Sequence, residues 1–254
     1  MKDLQFVLGS VFCLFLFVPK VSGQTAPPQP SSEGWQVRVI PYLWGSGING
    51  RVGIGDRAAD VDASFGNILA HLHFAFMNLV DASWNNKVVI LTDLLYTDLR
   101  AYRATPGPLF SSVSPSQKLF FLTPEGGYRV IDASRASLDI VGGIRYWHVK
   151  SELQFQPGLL PGIDVQGSRG WVDGIIGLRG KVYLPRNWWV TGYGDLGGGG
   201  SNFTYQILGA AGVDIHKHYA LLFGYRYLNV DYDKDRFLFD TAMKGPLFGF
   251  AFKF

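Results

Sequence analysis

The chain has 254 residues, of which 23 are Lys or Arg and 20 are Asp or Glu, and aromatic residues make up 15% of the total. The net charge of +3, with no basic cluster, argues against nucleic-acid binding, and the aromatic content with only 17% charged residues excludes a disordered chain. The single cysteine, Cys13, excludes a disulfide scaffold and a Cys-x-x-Cys metal or redox site.

The N-terminal segment, residues 1–23, has the organisation of a secretory signal peptide. Lys2 precedes a long apolar run, and small side chains follow it up to Gly23, where we expect cleavage. The apolar run is shorter than the roughly 20 residues that a membrane-spanning helix needs, which argues against an uncleaved anchor. Residues 24–33 are rich in Pro, Ser and Gln, and this composition predicts a flexible linker.

From Trp35 onward, apolar and polar residues alternate with the period of two that is typical of β-strands. Most of the segments exceed the five or six residues usual in soluble strands, and they reach the roughly 9–11 residues that a tilted strand needs to cross a bilayer. Ten strands are predicted, over residues 34–45, 72–84, 88–103, 116–131, 136–150, 170–184, 188–198, 203–215, 219–230 and 237–254.

The connections between these segments alternate in length. Tight turns are predicted at 85–87, 132–135, 185–187 and 216–218, and mostly longer joins at 46–71, 104–115, 151–169, 199–202 and 231–236. Short turns at one end and longer loops at the other are typical of an outer-membrane barrel. The sequence therefore predicts an all-β fold over residues 34–254, a closed, antiparallel, up-and-down transmembrane β-barrel of about ten strands, with eight or twelve as alternatives. A soluble two-layer sandwich is the competing interpretation, and it would place its charges on a solvated outer face.

The positions of the charged residues indicate which face of each strand points into the lumen and which faces lipid, because an Arg or Lys that faces hydrocarbon at mid-depth costs about 2–4 kcal/mol. Most of them lie on the face opposite the aromatic one. That face carries seven cations, two of which are Arg129 and Lys253, and seven anions. The predicted lumen charge network comprises Arg38, Asp81, Asp93, Glu125, Asp139, Arg145, Asp173, Arg179, Lys181, Asp195, Asp214 and Arg226. Since a buried charge without a partner is costly, we expect these groups to pair one for one and to leave a largely plugged interior. Asp98, Lys118 and Lys150 have the opposite parity, and we expect them near strand ends.

The segment 46–71 is the most irregular part of the predicted barrel. Ser64 is predicted to cap a short helix with Phe65, Ile68 and Leu69 on one face. Such a helix could be a lid or plug in the barrel mouth, or the segment could simply pack over the rim, and the sequence leaves both interpretations open.

Catalytic and metal sites find little support in the sequence. The histidines are His71, His73, His148, His216 and His218. A rim-sited hydrolase would need groups such as His71 and Asp98 to be poised together, and no catalytic motif requires that. Asp231, Asp233 and Asp235 are similar to the opening of a calcium loop but lack its Gly and Glu. We therefore predict no enzymatic activity, no cofactor and no metal site.

The last ten residues carry a family resemblance. Phe248, Phe250, Phe252 and Phe254 alternate up to the C-terminus, which resembles the assembly signal of the small outer-membrane β-barrel proteins of Gram-negative bacteria. The segments Pro41–Trp44, Leu91–Tyr96 and Gly224–Leu228 resemble an uncharacterised branch of that family.

This resemblance implies an outer-membrane location, with membrane lipid and lipopolysaccharide as neighbours. It also implies that the barrel-assembly machinery and periplasmic chaperones are partners during biogenesis. It implies no particular activity. We expect a structural or surface-interaction role, with a narrow, porin-like channel for small solutes as the alternative and a rim-sited hydrolase as a weaker one.

Overall fold

The computed structural model describes residues 34–55, 57–100, 103–104 and 110–254. The predicted signal peptide and linker, and Asp56, lie outside the described residues. The elements are β1 (Trp35–Trp44), β2 (Gly47–Ile54), β3 (Arg57–Ala63), α1 (Phe65–Ala70), β4 (Leu72–Trp84), β5 (Val88–Arg100), β6 (Arg103–Ala104), β7 (Phe110–Ala133), β8 (Ala136–Pro157), β9 (Ile163–Tyr183), β10 (Trp188–Gly199), β11 (Phe203–His216), β12 (Tyr219–Lys234) and β13 (Phe237–Lys253).

Ten of these strands close into an antiparallel ring. They follow the order β1, β4, β5, β7, β8, β9, β10, β11, β12, β13, and β13 pairs back with β1. Arg38 opposite Lys253 and Trp44 opposite Leu247 mark the register of this closing pair. The predicted fold, a closed up-and-down barrel, is confirmed together with its strand number.

The four predicted tight turns lie at one end of the ring, which we call the turn end; one further two-residue turn, Asp235–Arg236, lies at the opposite end, where a longer join was predicted. Asn85 and Asn86 have φ values of 48° and 54°, and Arg186 and Asn187 have 60° and 62°. Positive φ at two successive residues is the backbone form of type I′ turns, whose twist matches that of the flanking strands. The backbone N–H of Gly34 donates to Oδ1 of Asn85 at 2.7 Å, so the start of β1 is fixed beside the first turn.

At the opposite end, the loop end, several strands extend beyond their predicted limits. β7, β8 and β9 contain 24, 22 and 21 residues, so most of the loops predicted at 104–115 and 151–169 are strand instead. The alternation continues there, as at Leu153 and Phe155 of β8 and at Ile163 and Val165 of β9, but the Ser, Gln, Pro and Gly residues in these segments favoured the prediction of loops. Their backbone ladder continues because inter-strand hydrogen bonds do not require an apolar face.

The segment 46–71 forms a hairpin and a helix. β2 pairs with the loop-end half of β13, β3 pairs with β2, and the hydroxyl of Ser64 caps α1 by accepting from the N–H of Asn67 at 3.4 Å. The predicted helix is therefore confirmed, whereas the two strands before it were not predicted. A Cβ added to Gly45, on the outer wall, would lie 3.4 Å from the Phe65 ring. The start of α1 thus packs against the outside of the barrel, while Ile48, Val52 and Ile54 of β2 pack against the apolar cluster inside it.

Alternating burial defines an inside and an outside. On β13, Leu247 and Ala251 are buried, whereas Phe248 is 56% exposed and Phe254 is 77% exposed. Other large apolar side chains exposed on the outer wall include Leu43, Phe74, Phe76, Ile140, Ile144, Ile176, Leu178 and Phe223. So large an apolar surface is unsuited to water and suited to a bilayer. No helix among the described residues has the length and apolar content to span a membrane.

Candidate functional site

The barrel interior, which we call the lumen, contains all of the predicted network residues on the inward parity of the ring strands. A first group near the turn end forms a chain of alternating charge. Asp81 lies 3.3 Å from Arg38 and 3.0 Å from Arg179. Asp139 lies 2.7 Å from Arg179 and 2.8 Å from Arg129. This turn-end charge cluster, Arg38–Asp81–Arg179–Asp139–Arg129, spans five strands.

A second group lies deeper and is centred on Arg145, which is fully buried. Its guanidinium makes a two-pronged ion pair with Asp195, at 2.7 and 3.1 Å, and also donates to the hydroxyls of Thr123 and Thr204. A guanidinium offers five N–H donors, and this environment uses several of them. Burial of the charge is tolerated because its partners are already in place.

Tyr193 joins two carboxyl groups beside Arg145. Its hydroxyl lies 2.8 Å from Oε1 of Glu125 and 2.7 Å from Oδ2 of Asp195. A phenol has one proton, so both contacts are hydrogen bonds only when one carboxyl group is protonated. Asp195 is paired with Arg145, whereas Glu125 forms no ion pair with any described residue. We therefore assign the additional proton to Glu125.

Arg226 forms the third group, across the lumen from β5. Its guanidinium lies 2.8 Å from Asp93 and 3.0 Å from the hydroxyl of Tyr42, which itself donates to Asp93 at 2.7 Å. Gln206 accepts a further hydrogen bond from Arg226. The face of the guanidinium lies over the ring of Trp44, 4.7 Å from its centroid, which adds a cation–π contact.

The expected one-for-one pairing is wrong for Glu125, Asp173 and Lys181, which form no ion pair among the described residues. Asp173 accepts from the backbone N–H of Ser201 at 2.6 Å and from Nε1 of Trp171 at 3.2 Å. Nζ of Lys181 lies 4.2 Å from the centroid of the Trp189 ring. Neutral donors and an aromatic face thus replace the opposite charge. Asp214, the last member of the network, pairs with Lys253 at 3.1 Å near the turn end.

The loop-end half of the lumen is aromatic. Phe121, Trp147, Trp171, Tyr232 and Phe239 form a continuous set of ring contacts, with centroids 5.3 Å apart for Phe121–Trp147, 5.8 Å for Trp147–Trp171, 4.1 Å for Trp171–Tyr232 and 6.2 Å for Trp171–Phe239. We call these five residues the aromatic cluster. All are buried, and Phe121 and Trp147 have no exposed surface.

Trp147 and Trp171 lie in predicted strands and share the inward parity of Arg145 and Asp173, whereas Tyr232 falls in the segment 231–236, which was predicted as a loop. The signal was present: the alternation of β12 continues unbroken from Leu228 through Val230 to Tyr232. Gly200 completes the packing, since a Cβ there would lie 2.8 Å from Cβ of Trp171.

A cavity of about 120 Å³ separates the turn-end charge cluster from the deeper charged groups. Ile40, Leu79 and Leu91 contribute apolar walls, and Lys181 and Arg226 are among the charged groups that line it. The space is sufficient for several water molecules.

The rim residues considered for hydrolysis are arranged differently from the expectation. Asp98 is approached by His73, at 3.6 Å, and not by His71, whose Nδ1 lies 2.7 Å from the backbone oxygen of Asn67. Arg100 holds Asp98 in a two-pronged pair at 2.7 and 3.2 Å. A carboxylate held in this way orients a guanidinium and is poorly placed to act as a base. Among the described residues, no group of three or more His, Cys, Asp or Glu side chains is arranged to hold a metal ion.

A closed ring of ten strands, an apolar and aromatic outer wall and a lumen lined with paired charges define an integral outer-membrane β-barrel. No family model matches the chain, and no curated protein matches it either.

Several solved structures are similar to this chain at low sequence identity. The outer membrane protease OmpT from Escherichia coli is 10% identical, with a TM-score of 0.48 over 91% of this chain and 99% of that chain. The translocator domain of autotransporter NalP from Neisseria meningitidis is 16% identical, with a TM-score of 0.46 over 100% of this chain and 96% of that chain. Ail, the attachment invasion locus protein of Yersinia pestis, is 14% identical, with a TM-score of 0.41 over 88% of this chain and 100% of that chain. These likenesses concern the fold alone.

Proposed function

We propose that this protein is an outer-membrane barrel with a sealed lumen, which acts through the surface it presents outside the cell and not through transport. The observation that carries the proposal is the aromatic cluster. Five buried rings, from five strands on opposite sides of the barrel, touch one another across the loop-end half of the lumen. A solute crossing the barrel would have to displace them, at about 1.5–3 kcal/mol or more for each buried side chain exposed.

The extensions above the aromatic cluster support the same proposal. Cγ1 of Ile54, at the tip of β2, would lie 3.0 Å from a Cβ added to Gly167 of β9, so the two extensions meet over the mouth. Arg169 donates to the backbone oxygen of Asp235 at 3.1 Å and links β9 to the β12–β13 turn. These contacts close the entrance a second time, outside the aromatic cluster.

The length of β7, β8 and β9 supports a role at the cell surface. Each has more than 20 residues, whereas roughly 9–11 are needed to cross the bilayer. The part of each strand beyond the bilayer is therefore available as a stiff projection. At the tip of this projection, the connection between β8 and β9 exposes the apolar side chains of Leu159 and Leu160. Exposed apolar surface of this kind is typical of sites that a binding partner covers.

The test is conductance in planar lipid bilayers. We expect the wild-type protein to be silent and the double variant Trp147→Ala/Trp171→Ala to open measurable pores, because the two truncations remove the centre of the aromatic cluster. Trp84→Ala is the matched control, since Trp84 lies on the outer wall, and it should stay silent. Gel mobility of unboiled samples shows which variants have folded.

Large, stable openings of the wild-type protein would refute the sealed lumen. A small, steady conductance in the wild type would instead favour the narrow channel, through the cavity beside Lys181 and Arg226. A silent but folded double variant would show that the aromatic cluster is not the seal.

A further inference from the structure

Two lysines face each other on the outer wall near the loop end. Lys118 of β7 and Lys150 of β8 are cross-strand partners with the lipid-facing parity. Directly opposed residues of an antiparallel pair hold their Cβ atoms about 4.5–5.5 Å apart, and like charges at that separation repel each other. The strands continue well beyond both residues, so the expectation that they lie near strand ends is wrong. An anion bound between the two ammonium groups would relieve this repulsion.

The neighbouring carboxylate on β5 does not supply it. Asp98 is the cross-strand partner of Lys118, but both of its oxygens are held by Arg100. His73 adds a third basic group 3.6 Å from the same carboxylate. Lys118 forms no ion pair with any residue that the structure describes.

Glu152 is a single carboxylate beside both lysines, since Lys150 and Lys118 each lower its pKa. The carboxylate lies 3.5 Å from Nζ of Lys150 and accepts a hydrogen bond from Gln154 at 2.7 Å. This hydrogen bond, with Lys150 alongside, keeps the pKa of Glu152 below its usual value. His148 lies on the same face of β8, two residues closer to the turn end than Lys150, and its Nε2 is 3.3 Å from the hydroxyl of Ser168. The surface around the two lysines therefore carries more cations than carboxylates.

An aromatic belt lies directly below the lysines. Phe120, two residues from Lys118, faces Tyr96 across one strand pair and packs edge-on against Tyr146, with ring centroids 6.0 Å apart. Phe74 lies 5.9 Å from Tyr96 and extends the belt. Aromatic belts of this kind mark the boundary between hydrocarbon and headgroups.

The height along the barrel agrees with this boundary. Lys150 lies fourteen residues beyond Ala136, the first residue of β8. At about 3.3 Å per residue and a tilt of about 40°, this raises it roughly 35 Å above the turn end. The apolar band of such barrels is about 25 Å tall. The two lysines therefore lie at the level of the outer-leaflet headgroups.

We propose that Lys118 and Lys150 form a binding site for a phosphate group of the glycolipid that makes up the outer leaflet, lipopolysaccharide. The phosphate would lie between the two ammonium groups, and the acyl chains would run down past Phe120 and Tyr146. The phosphate offsets the positive charge of the two lysines, and the rings of Phe120 and Tyr146 below them favour a ligand that has an apolar part as well as a phosphate. The site is on the outer wall and does not depend on whether the lumen is sealed.

The experiment measures binding of lipid A to the full-length protein in detergent micelles by native mass spectrometry. Probes are bisphosphorylated lipid A, a phosphate-free analogue with the same acyl chains, and inorganic phosphate. We expect the wild type to bind bisphosphorylated lipid A about tenfold or more tightly than the phosphate-free analogue, because charge-assisted hydrogen bonds are the strong ones. The double variant Lys118→Gln/Lys150→Gln should lose this preference.

The matched control is Lys87→Gln/Lys217→Gln, which makes the same charge change in two turns at the opposite end of the barrel. It should bind lipid A as the wild type does. Preference for the phosphorylated lipid in the wild type should also weaken with added salt, a measurement that needs no variant. Equal binding of the phosphorylated and phosphate-free lipids by the wild type would overturn the site. So would retained binding by a folded Lys118→Gln/Lys150→Gln variant, or competition by inorganic phosphate at the same concentration as the lipid.

Discussion

The two halves of the lumen are packed by different kinds of contact. In the turn-end half and at the centre, side chains are held by directed polar contacts, such as the two-pronged pair of Arg145 with Asp195. In the loop-end half, the aromatic cluster has no charged member and is held by ring contacts such as Trp171–Tyr232. Both sets have the same inward parity on the same strands, so the alternating pattern does not distinguish them.

The stability of the polar half therefore depends on each charged group keeping its partner, whereas the stability of the aromatic half depends on how well the rings fill the space. A buried ion pair becomes a liability when one member is removed, because the remaining charge has no water to solvate it. A buried ring has no such dependence, and substitution by another apolar side chain mainly changes the packing. The two halves should therefore respond differently to substitutions of similar size.

The largest expected effect is that of Arg145→Met. The substitution keeps an apolar stem but leaves Asp195 buried and unpaired, which should lower the free energy of unfolding by about 3–5 kcal/mol. Phe239→Leu, in the aromatic cluster, is the matched substitution and should cost less than about 1.5 kcal/mol. Urea unfolding in lipid vesicles, followed by tryptophan fluorescence, measures both. Similar losses for the two variants would contradict the distinction between the halves.

A smaller effect is expected from the hydrogen bonds around Tyr193. Tyr193→Phe removes the hydroxyl shared by Glu125 and Asp195 and should cost about 1–3 kcal/mol, the penalty for leaving buried polar atoms unsatisfied. Glu125→Gln should cost about 1 kcal/mol or less, because an amide can donate to Tyr193 as a protonated carboxyl group does. The same urea titration provides the comparison. A Glu125→Gln variant that is less stable than Tyr193→Phe would show that Glu125 is ionised.

The smallest effect is expected for Lys181→Met. Nζ of Lys181 contacts the Trp189 ring and forms no ion pair among the described residues, so its removal leaves no carboxylate without a partner. We expect a change within about 1 kcal/mol of the wild type, because the lost cation–π contact is offset by no longer burying the ammonium group. A loss comparable to that of Arg145→Met would mean that Lys181 is part of the turn-end charge cluster, and would shift the boundary between the halves.

How far the sequence predicts the site is illustrated by Asp173. The alternation correctly gives it an inward parity, and Arg145 is its direct cross-strand neighbour. An ion pair between the two is the natural expectation, yet Arg145 reaches past β9 to Asp195 on β10. Asp173 instead accepts a hydrogen bond from the backbone N–H of Ser201, which lies in the turn between β10 and β11. Nothing in the local pattern indicates this, because it depends on how early that hairpin ends.

The sequence by itself determined which residues face lipid and which face the lumen, because a period of two and the cost of a charge in hydrocarbon act on each strand separately. It also determined the tight turns and the helix capped by Ser64. Only the tertiary structure decided which charges meet. Arg226 and Asp93 belong to β12 and β5, strands that approach each other only after the ring has closed. The lengths of β7, β8 and β9 were decided in the same way, because the ladder between neighbouring strands continues through segments whose Ser, Gln, Pro and Gly content predicts loops.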